Sequence, residues 1–236
     1  MRAAPEPRLL ILCPLAREWS FLVKTFEASL HVERLHDLKI EAAYIPDWRA
    51  LVAPVGHGKA QFAVQAQYLI GHFPAVELVI CAGAAGSLAP GLSVGDVVVG
   101  TETVEHDYCL LFATRPLPRF PGHGPSIDAL RRSAQGLGGF HVAFDVIASG
   151  DEDVVTSERA QAIRDQTGAA CVAWEGSGAA RAALFNGVGS LEIRAMTDAA
   201  DREAPQWFDA NLPFAMANLA SLLRLWFGGG RNRSPT

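Results

Sequence analysis

Apolar positions along this chain follow two rhythms, short apolar runs and longer stretches with helical spacing, and the two alternate. Residues 9–13, 39–45, 50–55, 78–82, 96–104, 141–148, 171–174 and 189–196 read as strands, being short and mostly apolar. Between them, residues 17–29, 58–73, 126–136, 175–185 and 211–227 carry helical patterns. In 58–73, Phe62, Ala66, Leu69, Ile70 and Phe73 fall on one face. Ser157 is placed to cap a further helix, with Glu158 in its first turn. The strands at 39–45 and 50–55 are separated only by a turn around Pro46-Asp47, whereas most others are separated by helices. Hairpin and crossover connections together predict a single α/β domain, a mixed central sheet flanked by helices on both faces. That domain is expected to span 8–227. The leader 1–7 and the tail 228–236, which opens Gly228-Gly229-Gly230, read as flexible ends.

Composition narrows the function classes. The chain has 236 residues, 50% hydrophobic and 19% charged, enough for one full core. Its formal charge of −5 argues against nucleic acid as a partner. No window is apolar enough to cross a membrane, and the N-terminus lacks a signal-peptide pattern, so a cytoplasmic protein is expected. Cys13, Cys81, Cys109 and Cys171 lie far apart with no CxxC pair, which predicts reduced thiols and no metal site.

Three carboxylates stand at strand-to-helix junctions. Asp198 follows the run 189–193, Glu175 follows 171–174, and Glu18 follows 9–13. Open α/β sheets bind ligands at such strand ends, so the three predict one acid–base site assembled from distant segments. Gly83-Ala84-Ala85-Gly86-Ser87, after the strand 78–82, reads as a turn whose amides approach a ligand; tight packing is an equal alternative. It is neither a Walker A loop nor a dinucleotide fingerprint. Gly56-His57-Gly58-Lys59 reads as a helix start, with a structural role favoured for His57. Ser149-Gly150-Asp151 reads equally as an Asx turn or as a wall of the site. Glu175 stands either at the positive end of a helix or as an acceptor for the vicinal hydroxyls of a polyol.

In order, Gly56-His57-Gly58-Lys59, Ala82-Gly83-Ala84-Ala85-Gly86-Ser87-Leu88, Val94-Gly95-Asp96-Val97-Val98-Val99 and His106-Asp107 are followed by Ala148-Ser149-Gly150-Asp151, Trp174-Glu175-Gly176 and Arg194-Ala195-Met196-Thr197-Asp198. This ordered set, running from about Leu9 to the last helix, resembles the purine nucleoside phosphorylase and nucleosidase superfamily. It is most similar to the 5′-methylthioadenosine/S-adenosylhomocysteine nucleosidases. The resemblance implies cleavage of the N-glycosidic bond of a purine nucleoside, with adenine the expected base and no metal or organic cofactor. It makes Asp198 the acid at purine N7, Glu175 the holder of the ribose hydroxyls, and Glu18 the residue that activates water. It sets the substrate against Ala84, Ala85, Gly86, Asp153, Val154, Trp174 and Thr197. It also implies a homodimer, with the segment 106–122 as a lid or subunit contact.

Hydrolysis is favoured over phosphorolysis because the glycine-rich segments carry no arginine and Glu18 repels phosphate. Lys59 is expected to begin a helix and point away, while Arg17 stays open as an anion ligand. The chain departs from the nucleosidase pattern in four places: Trp174 replaces a methionine, Asp153 an aromatic residue and Ala84 a serine, and Pro14-Leu15-Ala16-Arg17-Glu18 stands where the family has an acidic run. Phosphorolysis, and a nucleoside-binding protein without turnover, therefore stand as alternatives.

Overall fold

The computed structural model describes residues 5–228. It begins with β1 (Leu9–Cys13), α1 (Ala16–Glu27) and three strands, β2 (Glu33–Leu35), β3 (Ala42–Ile45) and β4 (Ala50–Pro54). Then follow α2 (Lys59–His72), β5 (Leu78–Ser87), β6 (Val97–Glu105), β7 (Arg119–Pro121) and α3 (Gly124–Ala134). The chain continues through β8 (Val142–Ser149), α4 (Ser157–Thr167), β9 (Cys171–Ala173), α5 (Gly176–Phe185), β10 (Gly189–Asp198) and α6 (Ala204–Gly228).

The strands form one mixed sheet. β2, β3, β4, β1 and β5 lie side by side, with β1 parallel to both β4 and β5. β5 then pairs in parallel with β10 along nine register pairs, and β10 continues through β6 and β8 to β9. β9 returns to β5 through two antiparallel pairs, Gly86↔Val172 and Ser87↔Cys171. Five strands thus close into a ring at the C-terminal end of β5.

Alternation along β1 shows how the layers are made. Ile11 and Cys13 join a core with Leu22, Phe26, Leu219 and Leu223 of α1 and α6. Leu10 and Leu12 join the opposite core with Phe62, Ala66 and Leu69 of α2 and Ala183 of α5. Both faces of the strand are therefore covered by helices, and every side chain of 10–13 is buried.

The expected α/β class holds, and most elements fall within a few residues of their predicted bounds. Four readings are corrected. Gly83–Ser87 is not a turn: β5 runs on through it, paired with β10. Asp198 is the last residue of β10 rather than one beyond it. The side chain capping α4 is Thr156, which accepts from the Arg159 amide, not Ser157. The final helix starts at Ala204 and tolerates Pro213, because its turns are held by apolar packing on β10 and α1. β2 and β7 are three residues each, too short for an alternation pattern. Of the expected flexible ends, 1–4 and 229–236 lie outside the described residues.

Close packing of α2 on α5 gives a first prediction. A Cβ placed on Gly178 overlaps the backbone carbonyl of Lys59, which has no means of turning away. Gly178→Ala is expected to destabilise the fold by about 1–3 kcal/mol. Urea unfolding measures it, and an unchanged midpoint counts against contact between these backbones.

Candidate active site

A cavity of about 350 Å³ opens at the point where the ring of strands closes. All ten residues assigned to the site from sequence line it: Glu18, Ala84, Ala85, Gly86, Asp153, Val154, Trp174, Glu175, Thr197 and Asp198. They come from α1, β5, β10, the segment between β8 and α4, and the junction of β9 with α5. Pro14, Leu15, Pro205 and Phe208 add an apolar wall.

Asp198 is placed by a bulge. The β5–β10 register shifts between Met196 and Asp198, so Thr197 and Asp198 both meet the cavity. Asp198 Oδ2 accepts from Thr197 Oγ1 at 2.7 Å and Oδ1 from the Ala200 amide at 3.0 Å. Burial raises its pKa; the Thr197 and Ala200 hydrogen bonds oppose that rise, and nearby Asp201 adds to it. Gly86 makes the placement possible, since a Cβ there stands 2.8 Å from Asp198 Oδ1.

Glu18 is almost wholly buried. Its Oε1 accepts from the Ala84 amide at 2.7 Å and its Oε2 from the Leu15 amide at 2.8 Å. Burial pushes its pKa up to about 7, against the pull of the Ala84 amide and Arg194, with Glu175 reinforcing the rise. Gly83 gives this carboxylate its room: a Cβ there stands 2.6 Å from Glu18 Oε1.

Glu175 is the N-cap residue of α5 and sits at the centre of a buried network. Oε1 accepts from the Gly58 amide at 3.2 Å and faces His57 Nδ1 at 3.2 Å. Oε2 accepts from Arg194 Nη2 at 3.2 Å. Burial alone raises its pKa, but His57, Arg194 and the Gly58 amide outweigh it and hold the carboxyl below its usual range. A carboxylate has about four acceptor positions. Three are taken, so Glu175 has one left for a ligand hydroxyl rather than the two that bidentate binding needs.

Among the lining residues outside the sequence assignment, His57 and Arg194 are the two that contact Glu175. His57 lines the cavity, its ring centroid 4.0 Å from that of Trp174. The Glu175 hydrogen bond raises its pKa, burial opposes, and the charges of Glu175, Asp153 and Glu18 add to the rise. The structural role favoured for it is thus joined to a place in the cavity wall. Arg194 is buried between Glu192, Glu175, Cys81 and the carbonyl of Ala84. Its signal in the sequence was the strand's one cation, two residues after Glu192 in a mostly apolar run, a position that requires buried acidic partners.

Other candidates are accounted for elsewhere. Asp151 lies outside the cavity lining and accepts from the Lys59 amide at the start of α2. Lys59 is the first residue of α2, and its ammonium pairs with Glu105 and Asp107. Arg17 is exposed and paired with Asp209. The cavity is consequently acidic: Glu18, Glu152, Asp153, Glu175, Asp198 and Asp209 line it, against Arg194 and His57.

A sheet whose strand ends converge on a cavity with one buried and one half-buried carboxyl, both of raised pKa, defines an α/β enzyme doing acid–base chemistry on a small molecule. The chain belongs to the phosphorylase superfamily, whose family model matches residues 8–225. It is 34% identical over 167 residues, 68% of this chain and 72% of the other, to the 5′-methylthioadenosine/S-adenosylhomocysteine nucleosidase of Actinobacillus succinogenes. It is 31% identical over 155 residues, 63% of this chain and 67% of the other, to the aminodeoxyfutalosine nucleosidase of Helicobacter pylori. Among solved structures, the Neisseria meningitidis 5′-methylthioadenosine/S-adenosylhomocysteine nucleosidase in complex with methylthio-immucillin-A is similar to it. The TM-score is 0.82 with 30% sequence identity, covering 94% of this chain and 98% of that one.

Proposed function

We propose that this chain is a nucleosidase that hydrolyses the N-glycosidic bond of an adenine nucleoside, releasing free base and a ribose derivative. The observation that carries this reading is the placement of two carboxyls of raised pKa against one strand. Glu18 is held on the Ala84 amide, and Asp198 packs over Gly86. Those anchor points are two residues apart on β5, so the two carboxyls meet one cavity from α1 and from β10, an acid and a base presented to the same small molecule.

In this reading Asp198 protonates N7 of the base. The C1′–N9 bond breaks with its electron pair leaving on the purine, and the ribose gains oxocarbenium character. Glu18, ionised in part near neutral pH, takes a proton from the water that attacks C1′ from the far side. Glu175 accepts one ribose hydroxyl with its remaining lone pair and stabilises the cationic sugar. The substrate contacts at Ala84, Ala85, Gly86, Asp153, Val154, Trp174 and Thr197 belong to this proposal.

Phosphorolysis is the second reading, and the charge of the cavity disfavours it. A phosphate dianion entering here meets six carboxyl side chains, while Arg194 is already committed to two of its own. The test is chromatography of free base from 5′-methylthioadenosine, S-adenosylhomocysteine, adenosine and inosine, each with and without phosphate. Adenine release at the same rate in both arms is expected. Release only with phosphate overturns hydrolysis, and binding without release makes the chain a nucleoside-binding protein.

The same proposal has the chain working as a homodimer in the cytoplasm, with neither nucleic acid nor membrane as a partner. Leu111 and Phe112 are 88% and 106% exposed in the segment after His106-Asp107, and Leu184 and Phe185 are exposed at the end of α5. Apolar surface of this kind supports a subunit contact. All four cysteines are free thiols, which suits a reducing compartment. Among the described residues no helix is long and apolar enough to cross a membrane.

A further inference from the structure

Arg194 is gripped from behind by a second carboxylate. Glu192, on the same strand, is buried, and its Oε1 accepts from Arg194 Nε at 2.8 Å. Its Oε2 accepts from Thr103 Oγ1 of β6 at 2.6 Å. Both oxygens are therefore fixed, one by the guanidinium and one by a neighbouring strand. The N-terminus of α5 is shaped around this group, since a Cβ on Gly176 overlaps the Glu192 carboxylate. Glu192 does not line the main cavity, and the void beside it, about 10 Å³, is too small for a substrate. Whatever Glu192 does for chemistry, it does through Arg194.

Two consequences follow from the geometry. With Nε held by Glu192, the guanidinium plane is fixed so that Nη2 meets Glu175 and Nη1 faces the Ala84 carbonyl beside Gly83. Without Glu192, Nε loses its acceptor and the guanidinium is held only through its Nη atoms, by Glu175, Cys81 and the Ala84 carbonyl. The second consequence is charge. Arg194 is the buried cation of the site, and Glu192 offsets it from the side away from the cavity. An apolar residue at 192 fills the strand but leaves the buried guanidinium without this partner.

We propose that Glu192, anchored by Thr103, is a positioning residue for nucleoside hydrolysis that fixes the Arg194 guanidinium between Glu175 and Glu18 and offsets its charge. The proposal rests on the hydrolase reading given above. The groups that bear on Glu18 are Arg194, Glu175, His57 and the thiols of Cys13 and Cys81. Those that bear on Arg194 are Cys81, Glu192, Glu175 and Glu18. Removing the charge of Glu192 leaves the Arg194 charge less offset where it acts on Glu18, which favours the ionised form of that carboxyl.

The test uses the full chain with 5′-methylthioadenosine as the probe. Glu192→Gln keeps the shape and an acceptor for Arg194 Nε but loses the charge. Its KM is expected to stay near wild type while kcat falls on the order of tenfold through looser positioning. The apparent pKa near 7 in its pH profile is expected to move down. The same displacement is expected in the pH dependence of urea unfolding, a readout that needs no turnover. Thr103→Val keeps the charge and frees one oxygen; a smaller fall in kcat is expected, with the apparent pKa in place.

Folded Glu192→Gln with wild-type kcat and an unmoved pH profile overturns the proposal. A loss of stability alone, with kinetics intact, overturns it as well. If Glu192→Gln fails to fold, the Thr103→Val kinetics decide, and an unchanged kcat counts against positioning. Wild-type protein that releases no base from any of the four nucleosides refutes the hydrolase reading instead, so the two failures are distinguishable.

Discussion

Asp198→Asn is expected to lower kcat by about 10²–10⁴-fold while leaving the fold, the unfolding midpoint and nucleoside affinity near wild type. The chemical half of the expectation is simple. An amide cannot donate a proton to N7 as an acid does, so the leaving base must depart as an anion. The structural half follows from the hydrogen bonds around the group. An asparagine oxygen at Oδ1 still accepts from the Ala200 amide. Its NH₂ then faces Thr197 Oγ1, which presently donates to Asp198 Oδ2. The threonine hydroxyl has an alternative acceptor in the Ala85 carbonyl at 3.3 Å and can rotate to it, becoming an acceptor for the amide. No buried donor is stranded, so little stability is lost. Single-turnover base release and equilibrium binding of the same nucleoside measure the two halves. Wild-type turnover in the variant sinks the acid role, and a collapse of binding with it reassigns Asp198 to recognition.

The sequence carried the layer architecture because each layer obeys a local rule. Solid apolar runs mark strands covered on both faces, as at 10–13, and a single apolar face marks α2. What it hid was decided by contacts between remote segments. Gly83 to Ser87 has the composition of a turn, and it is strand because β10, over a hundred residues later, pairs with it. Its glycines serve neighbouring carboxylates, making room for Glu18 and Asp198, rather than a bend in the chain. Of the candidate site, the three carboxylates were legible because an acid at a strand end is out of place in a core. Arg194 and Glu192 each break the apolar pattern of β10 in the same way, yet their pairing appears only when β5, β6 and the start of α5 surround them. His57 was ambiguous for a different reason: its partner Glu175 is more than a hundred residues away, and a lone histidine after a strand carries no sign of that contact.

The second large expectation concerns Glu18, and it reaches both rate and stability. A carboxyl whose pKa rises from 4.5 unfolded to about 7 folded binds more protons in the native state throughout that interval. Its contribution to stability is therefore fully present below pH 4.5 and is lost as pH rises through about 7, a loss of about 3 kcal/mol by linkage. Asp198, with its raised pKa, acts in the same direction. Glu175 acts oppositely, since its lowered pKa gives stability that disappears as pH falls below the usual carboxylate range, outside this window.

Wild-type protein should accordingly lose stability between pH 5 and 8, where the ionised form needed for catalysis becomes populated. Glu18→Gln removes the titration. It also leaves one of the Leu15 and Ala84 amides facing an NH₂ in place of an oxygen, which costs about 1–3 kcal/mol at every pH. The two stability curves should then converge or cross: the variant is weaker near pH 5 and comparable or stronger near pH 8. Hydrolysis in the variant should fall by about 10²–10⁴-fold, with nucleoside binding largely retained. Urea unfolding of both proteins at a series of pH values reads the first effect, and base release reads the second. A variant that keeps the wild-type slope shows that another group titrates there. A variant that keeps wild-type turnover takes water activation away from Glu18, whatever its pKa.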